Sequence, residues 1–139
     1  MEYKRIDNVI IARIDRGEEI VKALGLIARA ENIRLANINA LGAVDDFTVG
    51  VYNVEKQQYF KNDFKGAYEI VSLTGSINTM DGKYYSHLHM CAADEEGKAF
   101  GGHLNRAVVS ATCEMFIYVL DGTVDRFRDP VTGLNLFKF

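Results

Sequence analysis

YEIVSLTGSINTMDGKYYSHLHMCA, residues 68–92, reads as two β-rich segments folded back on each other. YEIVSLTGSI and YYSHLHMCA carry the β-branched and aromatic residues of strands. Between them, NTMDGK brings Asp81-Gly82, a pair suited to the positive φ values of a tight hairpin turn. On a strand successive side chains point to opposite faces, so His87 and His89 share one face, with Cα atoms about 6–7 Å apart. Tyr85 and Cys91 lie on that face too, while Ser86, Leu88 and Met90 take the other and leave an apolar set for a core. Two imidazoles can therefore converge on one ion without cost to packing.

Working outward, DEEGKAFGGHLNRA at 94–107 reads as a loop, and VVSATCEMFIYVL at 108–120 as a long central strand closed by Asp121-Gly122. The C-terminal VTGLNLFKF alternates apolar and polar residues, as an edge strand or a subunit contact would. Upstream, RLANINALGA at 34–43 and DFTVGVYNV at 46–54 read as two strands joined at Val44-Asp45-Asp46. Ahead of them, residues 15–33 switch to helical periodicity with Ile20, Leu24 and Ile27 on one stripe, and Asp15 with Glu18 supplies the cap signal. YKRIDNVIIARI at 3–14 reads as the first strand. One or two helices against six or seven largely antiparallel strands make an α+β arrangement. A single proline and the lack of a linker, repeat or low-complexity segment point to one domain over residues 1–139.

Composition narrows the function classes. Hydrophobic residues make up 48% and charged residues 25%, and no apolar run approaches the roughly 20 residues of a membrane-spanning helix. NVIIA near the N-terminus is too short for a signal peptide, so a cytoplasmic protein with no membrane partner is expected. Cys91 and Cys113 form no C-x-x-C arrangement, which leaves buried free thiols as the default. Lys and Arg number 16 against 19 Asp and Glu, a net charge of −3, so the basic footprint of an autonomous nucleic-acid binder is missing. The densest basic stretch, DRFRD at 125–129, interleaves its arginines with aspartates and reads as a solvated turn.

All three histidines of the chain fall between 87 and 103. His103 follows Gly101-Gly102, where glycine permits a close backbone approach that a side chain would forbid. Taken singly, a histidine is most often a satisfied polar residue. His87, His89 and His103 together match the three-imidazole zinc arrangement with a vacant fourth position, although copper and nickel accept the same ligands. Cys91 lies in the apolar context MCAA and is a weaker fourth ligand than an inert thiol. With water in the fourth position, zinc could support hydrolysis or hydration, given a general base. Glu69 in AYEIV and Glu114 in TCEMF are candidates, each with the alternative of facing solvent or pairing with an arginine such as Arg13 or Arg106. No nucleophile elbow, P-loop or dinucleotide fingerprint is present.

GAYEIVSLTGSI at 66–77, the H-x-H strand at 87–89 and FGGHL at 100–104 together resemble the plant and prokaryote conserved (PPC) domain family. The strand ending at Arg13, the Gly17-Glu18-Glu19 helix start and INALGAVDDFTVGVY extend the resemblance over nearly the whole chain. It implies an α+β fold, a homotrimer, zinc at His87, His89 and His103, and a match of Glu69 to the family's acidic position. Plant members follow AT-hook segments in DNA-binding proteins. This chain has no Arg-Gly-Arg-Pro hook, and its nearest fragment, Arg16-Gly17-Glu18-Glu19, is acidic. The expectation is thus a standalone metal-binding homotrimer with a small-molecule ligand or assembly role. A zinc-dependent hydrolase or lyase with Glu69 as base is the first alternative, and a DNA-binding protein is the second.

Overall fold

Alternating apolar and polar residues, interrupted by one helical stretch, fold into the elements of a computed structural model that describes all 139 residues. In chain order they are β1 (Glu2–Ile6), β2 (Val9–Asp15), α1 (Ile20–Ala30), β3 (Ala36–Asn53), β4 (Gln58–Met80), β5 (Lys83–Ala93), β6 (Ala99–Val119), β7 (Asp125–Arg128) and β8 (Asn135–Lys138). The first six strands form an antiparallel sheet in the order β1-β2-β6-β3-β4-β5, and β7 pairs with β8 separately. The start of β6 also returns to β5, pairing His103 with His89 and Ala99 with Ala93. Strands β3, β4, β5 and β6 thereby close on themselves, and only the later part of β6 opens toward β2. The α+β arrangement expected from the sequence is the observed one.

Several local expectations change. Residues 3–14 form a hairpin, since Asp7 takes a positive φ of 52° that turns the chain between β1 and β2. The break expected at 44–46 is a register shift inside the single strand β3, because bulges at Gly42 and Val44 bend the strand without ending it. FGGHL, expected in a loop, lies inside β6. Its glycines suit a strand here because other backbones press against them. The α1 cap is Glu19, whose carboxylate accepts from the backbone N–H groups of Val21 and Lys22. Glu18 instead accepts from the Asp15 backbone N–H, at the end of β2 and five residues before α1 begins. Finally, DRFRD is no solvated turn: it forms β7, and alternation carries Arg126 inward to 6% exposure.

One face of the sheet is apolar and covered by α1. Ile20, Leu24 and Ile27, the expected stripe, are fully buried together with Ile10, Ile14, Ile38, Leu73, Ile77, Met115 and Ile117. At the closed end, Phe47 stacks on Phe64 at 4.9 Å and meets Tyr68 edge-on, with Phe100 against Phe64. Burial of such side chains contributes about 1.5–3 kcal/mol each, the main term holding the sheet to the helix. The outer face, away from α1, carries Ile11, Phe116, Tyr118, Asn37, Asn39, Thr74, Ser76 and the histidines of β5. No helix is long and apolar enough to cross a membrane.

Candidate metal centre

Strand pairing brings the three imidazoles together. His87 and His89 point outward from β5 while Leu88 and Met90 between and beyond them are buried in the core. His103 lies on β6 directly opposite His89, and Ser76 and Thr74 on β4 flank the pair as partners of His87 and His89. Ring centroids are 5.1 Å apart for His87 with His89, 5.1 Å for His87 with His103 and 5.6 Å for His89 with His103. The Nε2 atoms of His87 and His89 are 3.3 Å apart. Two ligands about 2.0–2.1 Å from a tetrahedral zinc ion stand about 3.3–3.4 Å from each other, so this pair has the required spacing. Ligand atoms of all three residues lie within 4.8 Å of one another, and the group contains neither Cys91 nor a carboxylate.

Close backbone contacts fix this arrangement. A Cβ at Gly102 would lie 2.6 Å from the carbonyl oxygen of Gly50, so β6 can press against β3 just before His103 only without a side chain there. Gly75 plays the same part on β4, where a Cβ would meet the His87 carbonyl oxygen at 2.1 Å. Tyr59 lies across Gly50, and its hydroxyl donates to Asn105 Oδ1 at 2.8 Å, with the His103 carbonyl at 3.4 Å. Its ring meets the His103 ring edge-on at 6.1 Å.

Burial, the His103 and His89 rings and the nearby Arg126 guanidinium hold the His87 pKa down to about 4, and burial also lowers that of His103. Both imidazoles are thus neutral at pH 7, the state a metal ligand requires. Beside them opens a cavity of about 730 Å³, walled by Tyr52, Tyr59, Tyr85 and the β7–β8 hairpin with Arg126, Arg128, Asn135 and Phe137. No aspartate or glutamate lines it. Three imidazole nitrogens meeting at one wall of such a cavity suit a divalent ion with a coordination position left toward the open side.

The remaining sequence candidates lie elsewhere. Glu69 pairs with Ala93, four register positions and about 13 Å along the strand from His89, and lines a different cavity with Ala43, Tyr68 and Ser110. Glu114 is near the far end of β6, on the outer face opposite Arg13 and Leu41. Arg13 itself pairs with Asp15 and Glu2, and Arg106 with Asp46. Cys113 is buried, which pushes its thiol pKa up to about 12. The β7–β8 hairpin, expected as a solvated turn at 125–129 followed by an edge strand, instead walls the histidine cavity. The one available signal was the alternation of Arg126 and Arg128 around Phe127, masked by their aspartate neighbours.

Comparison with known proteins agrees with this geometry. A structure from Bacteroides thetaiotaomicron, whose name gives DNA binding as a conjecture, superposes with a TM-score of 0.96 at 32% identity, covering 99% of this chain and 96% of that one. A metal-containing protein from Archaeoglobus fulgidus gives 0.89 at 32% identity, over 99% and 97% of the two chains. The plant- and prokaryote-conserved protein of Pyrococcus horikoshii gives 0.87 at 29% identity, over 99% and 94%. Among curated proteins none matches significantly. The profile of the Plants and Prokaryotes Conserved (PCC) domain matches residues 1–121. With fold and sequence profile in agreement, this chain belongs to the Plants and Prokaryotes Conserved domain family.

Proposed function

We propose that this chain is a small cytoplasmic homotrimer that holds a divalent metal, zinc first among candidates, at His87, His89 and His103, and that the centre binds a small molecule. The observation that carries this is the convergence of three imidazoles, with ligand atoms within 4.8 Å of one another and His87 and His89 at tetrahedral spacing, on one wall of a 730 Å³ cavity. The metal-containing archaeal relative supports it. A bound ion would supply a Lewis acid toward the cavity. The histidines orient that ion, and Tyr59, Thr74 and Ser76 border the space a ligand would enter. Two free cysteines accord with a reducing compartment.

Metal analysis of untagged protein tests the centre. About one zinc per chain is expected, lost in His87→Ala and in His103→Ala while both variants stay folded. No metal in folded wild type, or metal retained in both variants, would sink the proposal.

The cavity also keeps the zinc hydrolase or lyase alternative in view, since a buried single-purpose structural site would need no such space. Glu69 does not reach this cavity from its own strand, so the enzymatic alternative has no carboxylate base within it. DNA binding, named as a conjecture for two relatives, draws least support, because Arg5, Arg13 and Arg106 are each paired with carboxylates of this chain.

A further inference from the structure

Arg126 is 6% exposed and belongs to none of the ion pairs of the fold. Its Nε donates to Asn78 Oδ1 at 2.7 Å and its Nη1 to the Asn135 carbonyl at 2.5 Å, both neutral acceptors. The guanidinium lies between two rings, 4.8 Å from the Tyr85 centroid and 4.3 Å from that of Phe137. Nη2 makes no hydrogen bond, and the residue forms part of the wall of the histidine cavity. A buried cation held rigidly and left without a counterion is costly unless something outside the fold neutralises it.

The surroundings sharpen the charge imbalance. Arg128 lines the same cavity, also without an ion pair, and no carboxylate does. A divalent ion on three neutral imidazoles would add two further positive charges. Asn135 Oδ1 is buried without a partner, while its Nδ2 lies 3.3 Å from Tyr85 Oη. A half-turn of that amide would let Oδ1 accept from Tyr85 and present an N–H to an anion. The residues concerned, Arg126 to Phe137, lie beyond the segment matched by the family profile.

We infer that the histidine cavity is a binding site for a small organic anion, a carboxylate or a phosphate ester, whose oxygens are held by Arg126 with Arg128 at the rim. It rests on taking the three-histidine cavity as a ligand site, but the arginines hold the anion whether or not a metal is loaded. Nη2 of Arg126 is free to donate to one anion oxygen, and Arg128 at the rim can meet another, each as a charge-assisted hydrogen bond. Tyr85 and Phe137 fix the plane of the Arg126 guanidinium, so little freedom is lost on binding.

Calorimetric titration of metal-free protein with succinate and with inorganic phosphate tests it, and whichever binds more tightly identifies the anion class. Saturable binding is expected, weakened roughly tenfold or more in Arg126→Gln. Zinc uptake by the same variant, followed separately, should persist. Absence of saturable binding of both anions to folded wild type overturns the inference, as does undiminished binding in Arg126→Gln. If Arg126→Gln fails to fold, Arg128→Gln takes its place, with a loss of affinity expected and unchanged affinity counting against the inference. Because these titrations contain no metal, loss of the metal proposal would leave their outcome standing, and the reverse.

Discussion

Burial and the neighbouring positive groups keep the His87 imidazole neutral in the fold down to about pH 4, whereas in an unfolded chain it takes a proton near pH 6.5. Between those values the unfolded state binds more protons than the native one, so the stability of metal-free protein falls as pH drops through that window. The contribution is fully present above about pH 6.5 and lost progressively toward pH 4. Thermal unfolding of the metal-free protein between pH 7 and 4.5 should show a declining midpoint, with a shallower decline in His87→Gln. Equal slopes for the two proteins would remove the assigned cause. The histidines were legible because strand alternation fixes which residues share a face, and H-x-H needs nothing more. Arg126 was not, because Asp125 and Asp129 beside it in sequence resemble ion-pair partners. In the fold Asp125 turns away to accept from Thr79 Oγ1 at 2.8 Å, and Asp129 accepts from Thr132 within the β7–β8 connection.

At the level of elements, local pattern identified α1 and the β4–β5 hairpin but ended strands wherever glycine or aspartate interrupted the apolar run. Bulges at Gly42 and Val44 let β3 continue, and their cause is long-range: a Cβ at Gly42 would lie 2.2 Å from the Thr112 carbonyl oxygen on β6. The same holds for FGGHL, where a loop and a tightly packed strand have the same local composition and only the neighbouring strands distinguish them. Gly102 is the position at which this matters for the site. Gly102→Ala would force β6 away from Gly50, at a cost of about 1–3 kcal/mol, and carry His103 out of register with His89. Denaturant unfolding should show that loss, and zinc titration a weaker site. Zinc affinity equal to wild type would mean that His103 is positioned by something other than the β3–β6 contact.

For the whole molecule, the outer sheet face poses a question that one chain does not answer. Ile11 and Phe116 are register partners there, Phe116 stacks beside Tyr118 at 6.2 Å, and Leu41 and Val71 are exposed to 58% and 63%. Antiparallel sheets commonly leave one face to solvent, but that face is then polar. An exposed apolar patch around Ile11, Phe116 and Tyr118, separated from the histidines by Asn37, Asn39, Thr74 and Ser76, instead fits association with further copies of the chain. The proposed trimer rests on family resemblance, since alternation reveals which residues face outward and not how many copies meet there. Burying a phenylalanine side chain contributes about 1.5–3 kcal/mol per copy, and a carboxylate in its place would be left desolvated without a partner. Phe116→Glu should therefore shift the mass measured by sedimentation or light scattering from trimer toward monomer. The substituted residue is partly exposed in the single chain, so circular dichroism should show a native fold. A variant that stays trimeric would place the contact on another surface, and a wild type that sediments as a monomer would leave the apolar patch to a different partner.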